Sequence, residues 1–168
     1  MQEVVQRIRE QWGEEPWLFT RKPIVIGGMA MEYYGMRKAG ADVDLLICDA
    51  DYQALAGRYP QQRKDLYGDL GVVIGLFEIW RSIALLDYDF FIKDAVDEGD
   101  VLIVSVDRLL WMRVCAMEVE KYRKDLELMK AYYYRMYTNP AYHREMKTHE
   151  VSYQKLNGAV FGGNYQDE

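Results

Sequence analysis

The chain reads as an α+β protein: a small mixed β-sheet core flanked by helices, with a helical C-terminal extension. Three observations predict this. Short apolar runs rich in β-branched residues (PIVI at 23–26, DVDLLIC at 42–48, VVIGLFEIW at 72–80, VLIV at 101–104) alternate with segments of helical periodicity. The runs are few and short, which favours a small sheet with helices packed on it. From residue 105 to about residue 137 no strand pattern returns and the spacing is helical throughout.

Taken in order, Val4, Val5, Ile8 and Trp12 recur at helical spacing and predict an amphipathic helix over 2–12, broken at 13–16. Residues 23–26 form a buried strand that runs directly into Gly27 and Gly28. Residues 29–34 are helical, with Gly35 as the stop. Residues 37–40 are a short basic loop, and 42–48 a second strand entered through acidic residues. Asp49 is a good N-cap for a short helix at 52–58. Residues 59–69 are polar and loop-like, 72–80 a third strand, and 87–100 an acid-rich linker or short helix. A fourth strand at 101–104 ends at Ser105, a second N-cap. The helical stretch beyond it, about 30 residues, is too long for one ordinary helix and predicts two helices or one bent helix, ended at Asn139-Pro140.

The 168 residues suffice to bury roughly 70% of the chain's surface in one core. A single domain is expected over 1–147, with its core at about 22–104 and a helical part at 105–147. Residues 148–168, with Gly158, Gly162 and Gly163, are expected to pack loosely. Half the residues are hydrophobic and 14% aromatic, which excludes a disordered chain. No apolar run approaches the roughly 20 residues of a membrane span. The charged, amphipathic start lacks a signal peptide's apolar region, so a cytoplasmic protein is expected. Two cysteines and two histidines make neither a disulfide scaffold nor a full zinc cage. With 21 basic against 27 acidic residues the net charge is −6, which argues against broad electrostatic nucleic-acid binding but leaves room for a local basic groove.

The residues that could carry chemistry begin with Gly27-Gly28. Between strand and helix they either make a tight turn or let a phosphate approach the backbone. Asp42 and Asp44, two apart, share one strand face about 6.6 Å from each other along it. They read either as a solvated strand entrance or as a divalent-cation site, Mg²⁺ being held by a few carboxylate oxygens, water and substrate phosphates. Glu78 is the sole charge in VVIGLFEIW, and a carboxylate in a buried strand needs a partner. An adjacent strand would bring it beside Asp42 and Asp44. Otherwise it pairs with Arg81, Arg37 or Lys38, or lies at a strand end. Asp87 and Asp89 are rival third carboxylates.

Together these residues carry a resemblance. IVIGGMAMEYYGMRKAGADVDLLI resembles the opening of the polymerase-beta-like nucleotidyltransferases: strand, Gly-Gly or Gly-Ser, helix, basic loop, then Asp-x-Asp on the next strand. VLIVSVDRLLWMRVCAMEVEKYRKDLELM is similar to the C-terminal strand and helices of bacterial minimal and abortive-infection (AbiE-type) toxin nucleotidyltransferases, whose Lys-x-x-x-Asp-Leu segment is matched by Lys121, Lys124, Asp125 and Leu126. The likeness spans about residues 22–130. It departs from the family's pattern at Met29, at Gly40, at Arg113 (where relatives often carry Lys) and in having Glu as third acid.

The resemblance implies an enzyme that transfers a nucleoside monophosphate from a nucleoside triphosphate substrate to an acceptor hydroxyl on RNA such as tRNA, on a protein or on a small molecule. The protein would then be a possible toxin–antitoxin component with an antitoxin partner. Gly27 and Gly28 would touch the triphosphate, and Arg37 or Lys38 would steady it. Asp42, Asp44 and Glu78 would be catalytic and would hold two Mg²⁺ ions. The alternative it leaves is a catalytically inactive binding or regulatory module of the same fold.

Other residues read more plainly. Tyr132, Tyr133, Tyr134, Tyr137 and Tyr142 read as packing between helices, the alternative being a base-stacking or partner surface. Lys121, Arg123, Lys124 and Arg135 read as a solvated face, the alternative being a basic strip for tRNA or nucleotide, with Asp125 orienting Lys121 one turn away. Cys48 and Cys115 read as buried small hydrophobes, the methionines mostly as core filler. His143 and His149 are given no role.

Overall fold

The computed structural model describes residues 2–13 and 19–142. The expected tail at 148–168, and His143 and His149, lie outside them. The chain divides into two compact units, Met1–Met129 and Lys130–Glu168. The α+β class is as the sequence predicts: among the described residues there are six α-helices, a seven-stranded mixed sheet and a separate two-stranded one.

Helix α1 (Gln2–Trp12) buries Val4, Val5 and Ile8, the stripe its periodicity predicts. Strand β1 (Ile24–Val25) is only two residues long, both fully buried, and α2 (Gly27–Tyr33) starts at Gly27 rather than at Met29. It stops at Gly35, where the Gly35 and Met36 amides bond back to the carbonyls of Glu32 and Met31 at 2.8 and 2.9 Å. Strand β2 (Val43–Leu46) follows. Helix α3 (Asp49–Arg58) already includes Asp49, and no side chain caps it. Asp51 instead turns its carboxylate back onto the Thr20 and Arg21 amides and the Cys48 thiol.

Two expectations fail between residues 59 and 80. The polar stretch holds a strand, β3 (Arg63–Leu66), whose residues are all exposed. An edge strand solvated on both faces carries no apolar alternation, so it reads as loop. The apolar run at 72–80 is a hairpin rather than one strand: β4 (Asp69–Ile74) and β5 (Phe77–Trp80) pair antiparallel around Gly75, whose φ of +58° marks the turn. Both arms are apolar, and the single glycine between them is a faint signal.

Strands β6 (Ser82–Ile83) and β7 (Leu86–Asp87) form the small second sheet, followed by α4 (Tyr88–Phe91), β8 (Val96–Asp97) and β9 (Leu102–Ile103). The main sheet runs β3-β4-β5-β2-β1-β9-β8, parallel where β5 meets β2 and where β1 meets β9. Ser105 caps α5 (Val106–Cys115) by accepting from the Arg108 amide. A short break separates it from α6 (Glu120–Tyr137), so the long helical stretch is two helices. The core lies on the central strands, with Ile24, Val25, Leu45, Leu46, Ile79 and Ile103 fully buried. No helix among the described residues is long and apolar enough to cross a membrane.

In the second unit, Tyr132 stands edge-on to Tyr133, which in turn meets the Tyr137 ring at 5.6 Å. Tyr134 and Tyr137 are exposed, so the tyrosine cluster is only partly a packing device. Cys48 is buried as expected, but Cys115 is exposed near the end of α5. Met29, Met31 and Met129 are fully buried core filler, while Met117 and Met136 are not.

Candidate functional site

The register of β2 on β5 decides what the acidic residues do. The pairs are Val43 with Phe77, Asp44 with Glu78 and Leu45 with Ile79. Paired positions on neighbouring strands face the same side. Val43, Phe77, Leu45 and Ile79 are buried, so Asp44 and Glu78 share the other side, and both line a cavity of about 720 Å³. Asp42, in the turn before β2, lines it too. The first unit thus brings Asp42, Asp44 and Glu78 to one wall. Glu78 keeps about a third of its side chain exposed and stands 3.4 Å from Lys64 of β3. Arg81, one of its expected partners, pairs with Asp49 instead.

Asp44 is the unusual group. Burial first, and then the negative charges of Glu78 and Asp42, raise its carboxyl from an ordinary 3.8 to about 6, against the pull of Arg113 and Lys121. Gly27 makes room for it. This residue holds φ at +62°, a left-handed conformation that side chains resist, and a Cβ there would run into the Asp44 carboxylate. We therefore expect Gly27→Ala to cost well over the roughly 1 kcal/mol of a left-handed alanine, read as a lower denaturant midpoint with an unchanged slope. Gly28 also lines the cavity.

The rivals are occupied elsewhere. Asp87 caps α4 by accepting from the Asp89 and Phe90 amides, and Asp89 binds Arg21 at 2.8 Å. The DYDF alternation is strand-like only on paper, since its last three residues are helical.

The basic side of the cavity differs from expectation. Lys38 is not part of its lining; it pairs with Glu32, which also binds Arg7 at 2.8 Å and the Ala39 amide at 2.7 Å. Arg37 does line the cavity, held by both oxygens of Asp125 at 2.6 and 3.0 Å. Asp125, 3% exposed, also lies 2.9 Å from Arg113 Nε, off the line of a hydrogen bond. So Asp125 orients Arg37 and Arg113, not Lys121. Arg113 is 6% exposed and stacks over the Tyr122 ring at 4.7 Å; burial lowers its pKa. Arg113, Lys121, Tyr122 and Lys64 all face the cavity. The Arg113–Asp125 pair was legible in part: Tyr122, Asp125 and Met129 recur at helical spacing, with a carboxylate on the inward stripe.

No protein-family model matches this chain, and no curated protein matches it.

The residues present can be tested against a divalent cation. Among the described residues no three His, Cys, Asp or Glu side chains gather closely enough to form a metal group. Mg²⁺, however, is commonly held by one or two carboxylates together with substrate phosphates. Asp44, its carboxyl raised by burial and by the acids beside it, and Glu78, its partner in register, supply such a pair, with Asp42 alongside. On that count the residues fit a cation that arrives with a phosphate chain, and not one held by protein alone.

Proposed function

We propose that the protein is a Mg²⁺-dependent nucleotidyltransferase, moving a nucleoside monophosphate from a nucleoside triphosphate onto an acceptor hydroxyl. One observation carries the reading. Two carboxylates stand in register on parallel strands beside a left-handed glycine, facing a cavity that also presents Arg113 and Lys121. Acids for cations and bases for phosphate in one cavity suit phosphoryl transfer, which asks mainly for positioning and charge neutralisation.

Asp44 and Glu78, with Asp42 beside them, would hold the cation. When bound, it would supply charge neutralisation on the triphosphate and on the attacking oxygen. Arg113 and Lys121 would bind phosphate oxygens, Arg113 fixed from behind by Asp125. The acceptor oxygen forms a bond to the α-phosphorus as the bond to the pyrophosphate oxygen breaks. Glu78, whose side chain is about a third exposed, would take the hydroxyl proton. A role in a toxin–antitoxin pair and an antitoxin partner belong to the same proposal and rest on the resemblance, and a cytoplasmic location belongs to it as well.

Purified protein incubated with α-labelled nucleoside triphosphates, Mg²⁺ and cellular RNA or protein should transfer label. Asp42→Ala with Asp44→Ala should abolish it. Label transfer that survives both substitutions would refute these roles.

The Lys64–Glu78 contact favours a second reading, a binding module that no longer catalyses, because it occupies the third acid. The two separate cleanly. A module would gain thermal stability from Mg²⁺-nucleotide, lose that gain on Asp44→Asn, and transfer no label at any enzyme concentration.

A further inference from the structure

The far end of the cavity is built unlike the near end. It is formed by Tyr67, from the Tyr67-Gly68 hairpin tip between β3 and β4, and by Ala84 and Leu85, the tip between β6 and β7. Tyr67 and Gly68 have φ of +53° and +99°, and Ala84 and Leu85 +52° and +62°. Both are two-residue turns that local preference would fill with Asn-Gly. The tips touch: a Cβ on Gly68 would lie 3.0 Å from Leu85 Cδ2. Asp69 locks the second turn, accepting from the Ala84 and Leu85 amides at 2.6 and 2.9 Å and from the Ser82 hydroxyl at 2.8 Å.

What the lock holds in place is apolar and wet. Tyr67 is 96% exposed, Leu85 70% and Leu66 49%. Tyr67 and Leu85 are therefore unfavourable twice over, in backbone conformation and in exposure, and neither choice stabilises the fold. Lys64, on the cavity wall, sits 5.0 Å over the Trp80 ring beside Glu78.

Position supplies the occupant. From β2, which carries Asp44, the sheet steps through β5 and β4 to β3, about 14 Å across the strands, and from Val73, opposite Glu78, the tip at Asp69 lies about 13 Å further along β4. A phosphate held at the carboxylates leaves its ribose and base to run along the cavity towards the tips. An apolar ledge with an open aromatic ring suits the flat face of a base and offers little for hydrogen-bond readout.

We propose that Tyr67, Leu85 and Leu66 form a stacking ledge for a nucleobase; this rests on the phosphate site proposed above. The base comes from the bound triphosphate or from a single-stranded RNA acceptor, and the test separates the two. The variant Tyr67→Asn with Leu85→Asn places at both positions a residue that tolerates positive φ, so folding is not put at risk. Dissociation constants are measured for Mg²⁺-tripolyphosphate, for a non-hydrolysable Mg²⁺-nucleoside triphosphate analogue and for a short single-stranded RNA, beside the thermal midpoint.

The variant should melt at or above the wild type and bind tripolyphosphate unchanged. It should lose about tenfold in affinity for the analogue if the donor's base is stacked, or for the RNA if the acceptor's is. Unchanged affinity for both, or a loss shared equally by tripolyphosphate, would overturn the ledge. Wild-type protein that binds neither tripolyphosphate nor the analogue would overturn the phosphate site, and the ledge with it.

Discussion

Asp44→Asn should stabilise the ligand-free protein at neutral pH while removing its response to Mg²⁺-nucleotide. The sign follows from the raised carboxyl. Folded, Asp44 titrates near 6, and unfolded it returns to its ordinary 3.8. Between those values the folded state keeps a proton the unfolded state has lost. Stability therefore falls as pH climbs from about 4 to 6, and the penalty remains above that range. Asparagine, neutral and of the same shape, escapes the penalty, worth about 1 to 3 kcal/mol. Denaturant titrations at about pH 3.5, below both values, and at about pH 8 check this: the two proteins should nearly coincide at the lower pH and separate at the higher. Nucleotide binding should run the other way in the wild type, strengthening as pH rises through 6 and the carboxylate becomes available. A site kept at a cost in stability is what a binding or catalytic acid looks like, and a merely structural carboxylate would show no such trade.

Asp125→Ala should be the most destabilising single change near the cavity, by about 3 to 5 kcal/mol. Both its oxygens serve Arg37, and one also faces Arg113. Removing them leaves the Arg113 guanidinium buried with its charge uncompensated. Arg37, a quarter exposed, can turn to water; Arg113, at 6%, cannot. Adding Arg113→Met to Asp125→Ala should recover much of the loss, since an apolar side chain replaces the stranded charge. Urea midpoints for the two singles and the double close the cycle. Both forms should bind triphosphate weakly, because Arg113 is lost from the cavity in one and loses its support in the other.

The parts of the fold legible in the sequence were those with an apolar period. The stripe of α1, the buried strands β1 and β2 and the Ser105 cap follow from the local residue pattern, and the long helical stretch, open between two helices and one bent helix, is two. What escaped was polar or two-sided. Strand β3 faces water on both sides and has no alternation to read. The hairpin of β4 and β5 hides in one continuous apolar run, with Gly75 its single mark.

Glu78 shows how much depended on that turn. Read in one unbroken strand it shared its parity with Val72 and Ile74. In the hairpin it pairs with Val73 on one side and with Asp44 on the other. It still came to the Asp44 face, because register with β2 is set by the buried pairs around it, Val43 with Phe77 and Leu45 with Ile79. The basic half of the site was the less legible. Lys38 belongs to the Glu32 cluster, while Arg113 and Lys121 reach the cavity from α5 and α6, where the carboxylate of Asp125 on an inward stripe is a faint local sign.

The central claim is that Asp44 and Glu78 hold a divalent cation together with a triphosphate. Mn²⁺ suits the same oxygen ligands as Mg²⁺ and is visible by electron paramagnetic resonance. Titrating Mn²⁺ into wild-type protein should give weak binding alone and tight binding when a non-hydrolysable nucleoside triphosphate is present. Asp44→Asn and Glu78→Gln should each remove the nucleotide-dependent part. Equal binding of Mn²⁺-nucleotide by the wild type and both variants would contradict the account.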